Sequence, residues 1–503
     1  MGSNNFELSP NVLEKYLQKE SKHFTKKDLI DFVIGNEIEM VNFRYVAEDS
    51  RLKTLNFVIN SEAYLDQILT TGERVDGSSL FSFIEASSSD LYVVPRYQTA
   101  FVNPFEEVPC LDILCSYYNS EGKPLESSPE YILRKANQIF TQKTGMTFKA
   151  LGELEYYIIA PKEENKTFPA IDQRGYHASE PFTSYEFIRK EAMRLIAASG
   201  GKIKYGHSEV GHFSDDKYFY EQHEIEFLPC EAESAAQQLV IAKWILRKVC
   251  NEYGVKVSFA PKISVGKAGS GLHIHMLLEK EGHNIMVHQN ELSDEAKKMI
   301  AGILDLADAL TAFGNTIPTS YLRLVPYQEA PTNICWGDRN RSVLIRVPLG
   351  WRGDLNMIED ANPQIKAEQK TEISKQTVEI RSGDGSADIF LYMASLVVAT
   401  LHGLEMEDSL QLAEKLYVNV NIFHNENKNR LSELKGLPVS CYESALALEQ
   451  KRALFEKNDI FPKGLIDNTI AKLRSYNDDK LSERLYGKHE EIYKLVMEHL
   501  HCM

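Results

Sequence analysis

Two histidines spaced i, i+2 inside an apolar run, Leu272-His273-Ile274-His275-Met276, restrict this chain more than any other feature. On a strand, both imidazoles share one face while Leu272, Ile274 and Met276 pack on the other. An isolated pair of this kind reads first as the polar face of a half-buried strand with satisfied histidines. Other segments repeat the alternation with carboxylates: Glu153-Leu154-Glu155 in FKALGELEYYIIAP and Glu224-Ile225-Glu226 in YEQHEIEF. Carboxylates facing an apolar strand are costly unless they are paired or bound to a cation.

The rest of the chain sets the frame for these strands. Residues 1–36 form an N-terminal helical extension, with helical spacing from 8 to 33. Short strand-like runs (MVNFRYVA, TLNFVI, DLYVVP, DILCSYY) predict a small sheet domain over 37–118, and within it the Asp76-Gly77-Ser78-Ser79 stretch reads as a turn. A polar segment at 119–130 separates this from a mixed helix and strand region over 128–503, mainly helical from 389 onward. With 72 acidic against 56 basic residues the net charge of −16 argues against a nucleic-acid binder and leaves carboxylates available for cations. Seven scattered cysteines without a CxxC pair suggest neither a disulfide framework nor a thiolate zinc site, so a reducing cytoplasm is expected. No apolar run is long enough for a signal peptide or a membrane span.

Further chemistry lies in Glu209, in Arg323 and Glu329 of SYLRLVPYQEAP, in Arg339, Arg341 and Arg346 of RNRSVLIRVP, and in Glu379 and Arg381 of VEIRSGDGSAD. Arg339 and Arg341 are expected on one strand face, as are Arg341 and Arg346 across a bulge. Oxygen-rich donors with few nitrogens suit Mg²⁺ or Mn²⁺. Such a cage beside arginines is what phosphoryl transfer from a nucleotide needs. The P-loop, the GxGxxG fingerprint, HExxH and GxSxG are all absent.

The ordered series VDGSSL, LGELEYYI, QHEIEF, KAGSGLHIHM, TSYLRLVPYQEAP, RNRSVLIRVP and VEIRSGDGSAD resembles the signatures of the glutamine synthetase family, type I-like and divergent, over about residues 37–475. The resemblance implies an α+β fold: an N-terminal β-grasp domain and a catalytic domain of antiparallel strands flanked by helices. It implies ATP-dependent ligation of ammonia to L-glutamate through γ-glutamyl phosphate, with ATP as co-substrate and two or more Mg²⁺ or Mn²⁺ ions per site. By motif position Glu155, Glu209 and Glu224 would hold one metal and Glu153, His273 and Glu379 another. Arg323, Gly269 and Tyr176 would bind substrate, and Arg346 and His275 would serve the nucleotide. Asp76, from the adjacent subunit, would deprotonate ammonium, Glu329 would shield the acyl phosphate, and Arg341 and Arg381 would stabilise the phosphate. The family implies a ring-shaped homo-oligomer, a dodecamer, with active sites between subunits.

Five departures stand out. Ala268 replaces the asparagine of NGSG, Arg96 an aspartate, Thr377 a nucleotide-side arginine and Leu277 a small polar residue, while HFSDDKYFY lengthens the gap from Glu209 to Glu224. They keep open a γ-glutamyl-amine ligase, and a weakly active or regulatory relative, beside the ammonia reading.

Overall fold

The computed structural model describes residues 6–85, 89–162, 168–169, 171–326, 330–350, 357–364, 375–422 and 428–502. Asn11 caps α1 (Val12–Leu17), and Thr25 and Asp28 cap one another at the start of α2 (Lys26–Gly35). The apolar faces of both helices, with Leu13, Leu29 and Phe32, join the core beneath the first sheet.

That sheet comprises β1 (Met40–Val46), β2 (Leu52–Val58), β3 (Glu73–Asp76), β4 (Asp90–Pro95), β5 (Phe101–Val102) and β6 (Cys110–Tyr118), ordered β2-β1-β6-β4-β3 with β5 along β6. β1 and β6 are parallel; the other pairs are antiparallel. Val41, Phe43 and Tyr45 share an apolar core with Leu65 and Ile68 of α3 (Glu62–Thr71), a helix between β2 and β3. Asn42 and Arg44 alternate with them and point instead to Asp112, which is fully buried on β6.

After α4 (Pro129–Thr144) comes a ten-stranded sheet. Its strands are β7 (Thr147–Pro161), β8 (Ile203–Ser214), β9 (Tyr218–Phe227), β10 (Cys230–Glu231), β11 (Lys256–Ser258), β12 (Leu272–Lys280) and β13 (His283–Asn284), then β16 (Trp336–Asp338), β17 (Ile345–Val347) and β18 (Val378–Ile380). Between them β14 (Val287–His288) and β15 (Glu291–Leu292) pair separately. The main order is β16-β17-β18-β12-β7-β9-β8, antiparallel except for β16 with β17.

The helices between these strands are α5 (Glu186–Ala198), α6 (Ala232–Glu252), α7 (Asp294–Gly314), α8 (Ser320–Arg323) and α9 (Met357–Ala361); α10 (Ile389–Glu405) follows the last strand, and further helices lie at Ser409–Lys415, Lys428–Glu433, Cys441–Glu456, Lys463–Ser475, Leu481–Arg484 and His489–Glu498. One face of β7, with Leu154, Tyr156 and Ile158, is sealed in a large core with α6, α7 and α10. At Gly152 on that face a Cβ would meet Leu239 of α6 at 2.8 Å, so the helix lies almost on the backbone. The opposite face stays open and carries Glu153 and Glu155. No single described helix is long and apolar enough to cross a membrane.

The fold is α+β, as the family resemblance implies. Two local expectations fail: Arg339 and Arg341 do not share a strand face, and Arg341 lies in the turn before β17 rather than on a bulged strand with Arg346. The chain turns between β16 and β17, Arg339 takes φ 55°, and Asn340 Oδ1 accepts the Ser342 amide at 2.9 Å, so a side-chain-stabilised turn replaces the extended RNR run.

Candidate active site

Across the open face, strand register sets the polar residues side by side. His273 faces Glu153 and Glu153 faces Glu226; Glu155 faces Glu224 and Glu224 faces His207; His275 faces Glu379 and Glu379 faces Arg346. These residues line a cavity of about 300 Å³, together with Tyr176, Glu209, Gly269, Arg323, Arg341 and Arg381.

Glu153 sits between the two histidines, at 2.9 Å from His273 Nδ1 and 2.8 Å from His275 Nε2. His275 Nδ1 is 2.9 Å from the Thr377 hydroxyl, which fixes the ring so that Nε2 points at the carboxylate. Burial would raise Glu153, but His275 and the two histidine hydrogen bonds outweigh it and hold the carboxyl well below its ordinary range. Burial would likewise lower His275, yet Glu153 and then Glu379 raise it. Glu379 bridges two guanidiniums, Arg346 Nη1 at 2.8 Å and Arg381 Nε at 3.1 Å. Arg323 is buried and spends its Nη1 donors on the Ser382 and Gly383 carbonyls, while Nη2 lies 3.2 Å from His273 Nε2.

Glu209 reaches the cavity through a bulge. The register of β8 on β9 breaks between Ser208 and His212, and the extra residues swing Glu209 out of the ladder. Gly211 closes the bulge against Tyr157, where a Cβ would overlap the phenol hydroxyl, and its amide donates to Gln222 Oε1 at 2.9 Å. The segment bearing Tyr176 lies along this edge, with the His177 amide donating to the Ser208 carbonyl at 2.9 Å. Gly211→Ala is therefore expected to lower kcat/KM by roughly 10²-fold, the cost of displacing a reacting geometry by about an ångström. Steady-state kinetics on a variant of unchanged circular dichroism checks it.

The donor set fits hard divalent cations. Glu153, His275 and Glu379 offer atoms within 4.8 Å of one another, as do His207, Glu209 and Glu224, and Glu153, Glu224 and Glu226. Two features ask for added positive charge. Glu226 Oε2 is buried without a hydrogen-bond partner. Burial, and then the carboxylates of Glu153, Glu155, Glu209 and Glu226, push Glu224 well above its ordinary range.

Residues 126–483 match the family model of the glutamine synthetase catalytic domain, and residues 37–120 match the glutamine synthetase β-grasp domain. The chain belongs to the glutamine synthetase family. It is 28% identical to the glutamine synthetase of Clostridium saccharobutylicum over 428 residues, covering 84% of this chain and 88% of the relative. It is 26% identical to that of Methanococcus maripaludis over 452 residues, covering 88% and 93%. In fold it resembles Plasmodium falciparum glutamine synthetase, with TM-score 0.73, 21% identity and coverage of 92% and 98%, and a ligand-free GmaS, with TM-score 0.71, 17% identity and coverage of 91% and 97%. Members of the glutamine synthetase family use ATP and divalent metals, in keeping with this donor set.

Within this glutamine synthetase frame, thirteen of the site residues expected from sequence line the one cavity: Glu153, Glu155, Tyr176, Glu209, Glu224, Gly269, His273, His275, Arg323, Arg341, Arg346, Glu379 and Arg381. Asp76 does not line it. It is exposed at the end of β3, its carboxylate accepting the Ser78 and Ser79 hydroxyls at 2.7 and 2.8 Å, and these hold it well below the usual range. Glu329 lies outside the described residues.

Lys204, Tyr205, His207, Gln222 and Glu226 also line the cavity without having been assigned a role from sequence. Their signal was present, since Tyr205 and His207, like Gln222, Glu224 and Glu226, alternate along one strand face. Lys204 Nζ pairs with Glu226 Oε1 at 2.5 Å, and Gln222 Nε2 donates to Glu155 Oε2 at 3.0 Å.

The departures sort by place. HFSDDKYFY lengthens the tip of the β8–β9 hairpin, and Glu224 keeps its register against Glu155 and His207. Thr377 orients His275. Leu277 is buried, opposite Lys149 in the sheet. Arg96 pairs with Glu233 of α6 at 2.6 Å, away from the cavity lining, and so gives no reason for altered acceptor choice. Ala268 is held by its backbone: its amide donates to Gln173 Oε1 at 2.7 Å and its carbonyl accepts the Tyr157 hydroxyl at 2.8 Å.

Proposed function

We propose that the protein is a glutamate–ammonia ligase, converting L-glutamate, ATP and ammonia to glutamine, ADP and phosphate through γ-glutamyl phosphate. The observation that carries this reading is the convergence of a carboxylate row with Arg323, Arg341, Arg346 and Arg381 in one cavity on the open sheet face. In the first step a γ-carboxylate oxygen of glutamate attacks the terminal phosphorus of ATP and ADP leaves. In the second, ammonia attacks the acyl carbon, the C–O bond breaks and phosphate departs.

Arg341, Arg346 and Arg381 would spread the charge of the transferring phosphoryl group, and buried Arg323 with the Gly269 backbone would hold the amino-acid substrate. Glu153, Glu379 and a histidine of the His273/His275 pair would hold one Mg²⁺ or Mn²⁺, and Glu155, Glu209 and Glu224 another. Metal bound there supplies neutralising charge for the phosphates. Glu209 and Tyr176 would wall the ammonium, with Asp76 of a neighbouring subunit taking its proton and Glu329 shielding the acyl phosphate.

Asp76 is exposed and lies outside the cavity lining, so the role proposed for it calls for a second copy, in a ring-shaped homo-oligomer of the dodecamer type. Seven scattered cysteines without a CxxC pair support a cytoplasmic setting. Asp76→Asn is expected to lower turnover with ammonium by roughly 10²–10⁴-fold, the range of a general base. Co-assembly of Asp76→Asn with Glu153→Gln subunits should restore activity, because some interfaces then carry one intact site. No recovery in verified mixed rings would contradict the shared site.

A γ-glutamyl-amine ligase is the second reading. It is favoured by the absence of a carboxamide at Ala268 and by a ring cluster beside Tyr176, in which His177 lies 4.3 Å from both the Tyr176 and His207 rings. In the third reading, a weakly active or regulatory relative, the cause was Thr377 and the long hairpin, and neither disperses the carboxylates. Supplying ¹⁵N-ammonium with glutamate, ATP and metal should give labelled glutamine in step with phosphate release. A kcat/KM for any organic amine above that for ammonium would transfer the assignment to the second reading, and no turnover with any acceptor would transfer it to the third.

A further inference from the structure

A second cavity, of about 360 Å³, lies where the β1–β2 turn meets α6 and the start of α10, and it shares no lining residue with the carboxylate cavity. Its size suits a small ligand. Val46, Leu52, Trp244 and Phe390 give it apolar walls, and three cations face it: Arg51 from the turn, and Lys243 and Arg247 one helical turn apart on α6.

Lys243 is buried and Arg247 half-buried, and among the described residues neither has a counter-anion in contact. Lys243 is 4% exposed, and its Nζ donates to the Gly385 carbonyl at 2.8 Å. Arg247 Nη2 donates to the Cys502 carbonyl at 3.2 Å. Both lie over the Phe259 ring, at 5.1 and 4.9 Å, and among the described residues neither has a carboxylate within ion-pair distance. Asp388 is the one acid in the lining, and it is already engaged: it accepts the Leu391 amide as the cap of α10 and the Ser50 hydroxyl, each at 3.0 Å. A buried cation such as Lys243, held only by a carbonyl and a ring, is costly, and a bound anion removes that cost. Burial pushes Lys243 down to about 7, in line with this environment.

We propose that this cavity binds a small organic anion with an aromatic body, its carboxylate or phosphate pairing with Arg51, Lys243 and Arg247 and its ring packing on Trp244 and Phe390. Because the walls come from the first sheet on one side and from α6 and α10 on the other, occupancy ties the two domains together. The site stands apart from the ligase reading.

The test is calorimetric titration of the full chain with benzoate and with phenyl phosphate, the two arms separating carboxylate from phosphate. We expect at least one to bind with a stoichiometry of one per chain, and the Trp244 fluorescence to change with occupancy. Arg51→Ala, at an exposed turn where folding is not at stake, should weaken that binding at least fivefold, and Lys243→Met should abolish it. Absence of binding by both probes, or equal affinity in wild type and both variants, would overturn the proposal.

Discussion

Replacing Glu153 by glutamine is expected to lower turnover by at least about 10³-fold while leaving the fold in place. The amide keeps the size of the side chain, so the core behind β7 is untouched. What it removes is the carboxylate hydrogen-bonded to both His273 and His275, in the strand row between Glu226 and His273. An amide is a poor ligand for a hard cation, and metal binding is the second readout. A saturating cation at about 100 times its Kd stabilises a single-site protein by about 2.7 kcal/mol. Thermal unfolding with and without Mn²⁺ should show a clear rise for the wild type and a much smaller one for Glu153→Gln. An unchanged metal-induced rise together with near-wild-type turnover would remove Glu153 from the metal set.

The second large effect lies outside the cavity. Asp112 accepts Asn42 Nδ2 and Arg44 Nε, each at 2.6 Å, and Asn103 Nδ2 at 3.1 Å, and Arg44 lies 4.9 Å over the Trp244 ring of α6. Burial raises Asp112 even beside Arg44, which marks the pair as expensive to bury. Breaking it is worse, because Arg44 is then left buried and uncompensated. Asp112→Ala is expected to cost about 3–5 kcal/mol and to lower the thermal midpoint by at least about 6 °C. A shift below about 2 °C would mean that water or a neighbour replaces the carboxylate.

The candidate site was legible where chemistry follows strand periodicity. Glu153/Glu155, Glu224/Glu226 and His273/His275 each alternate with apolar residues, and that alone places them on one face of the sheet. The neighbours across the sheet were not legible, because register depends on which strands pair. Thus Thr377, read as a lost arginine, proves to orient His275. The placement of Glu209 was hidden for a different reason: a bulge at Ser208–His212 breaks the period of two. Arg339 and Arg341 failed because the Asn340 turn competes with strand propensity. For the fold, the strand runs and the long apolar helices were readable, while the packing of Arg96 on Glu233 and the cation-lined cavity between domains arise from contacts between segments far apart in sequence.

The central claim is most directly tested by measuring phosphate release from ATP while glutamate, divalent metal and ammonium are omitted one at a time. The account predicts steady release only when all three are present, with glutamine formed in equal amount. Full activity with ammonium omitted and a polyamine supplied would contradict it.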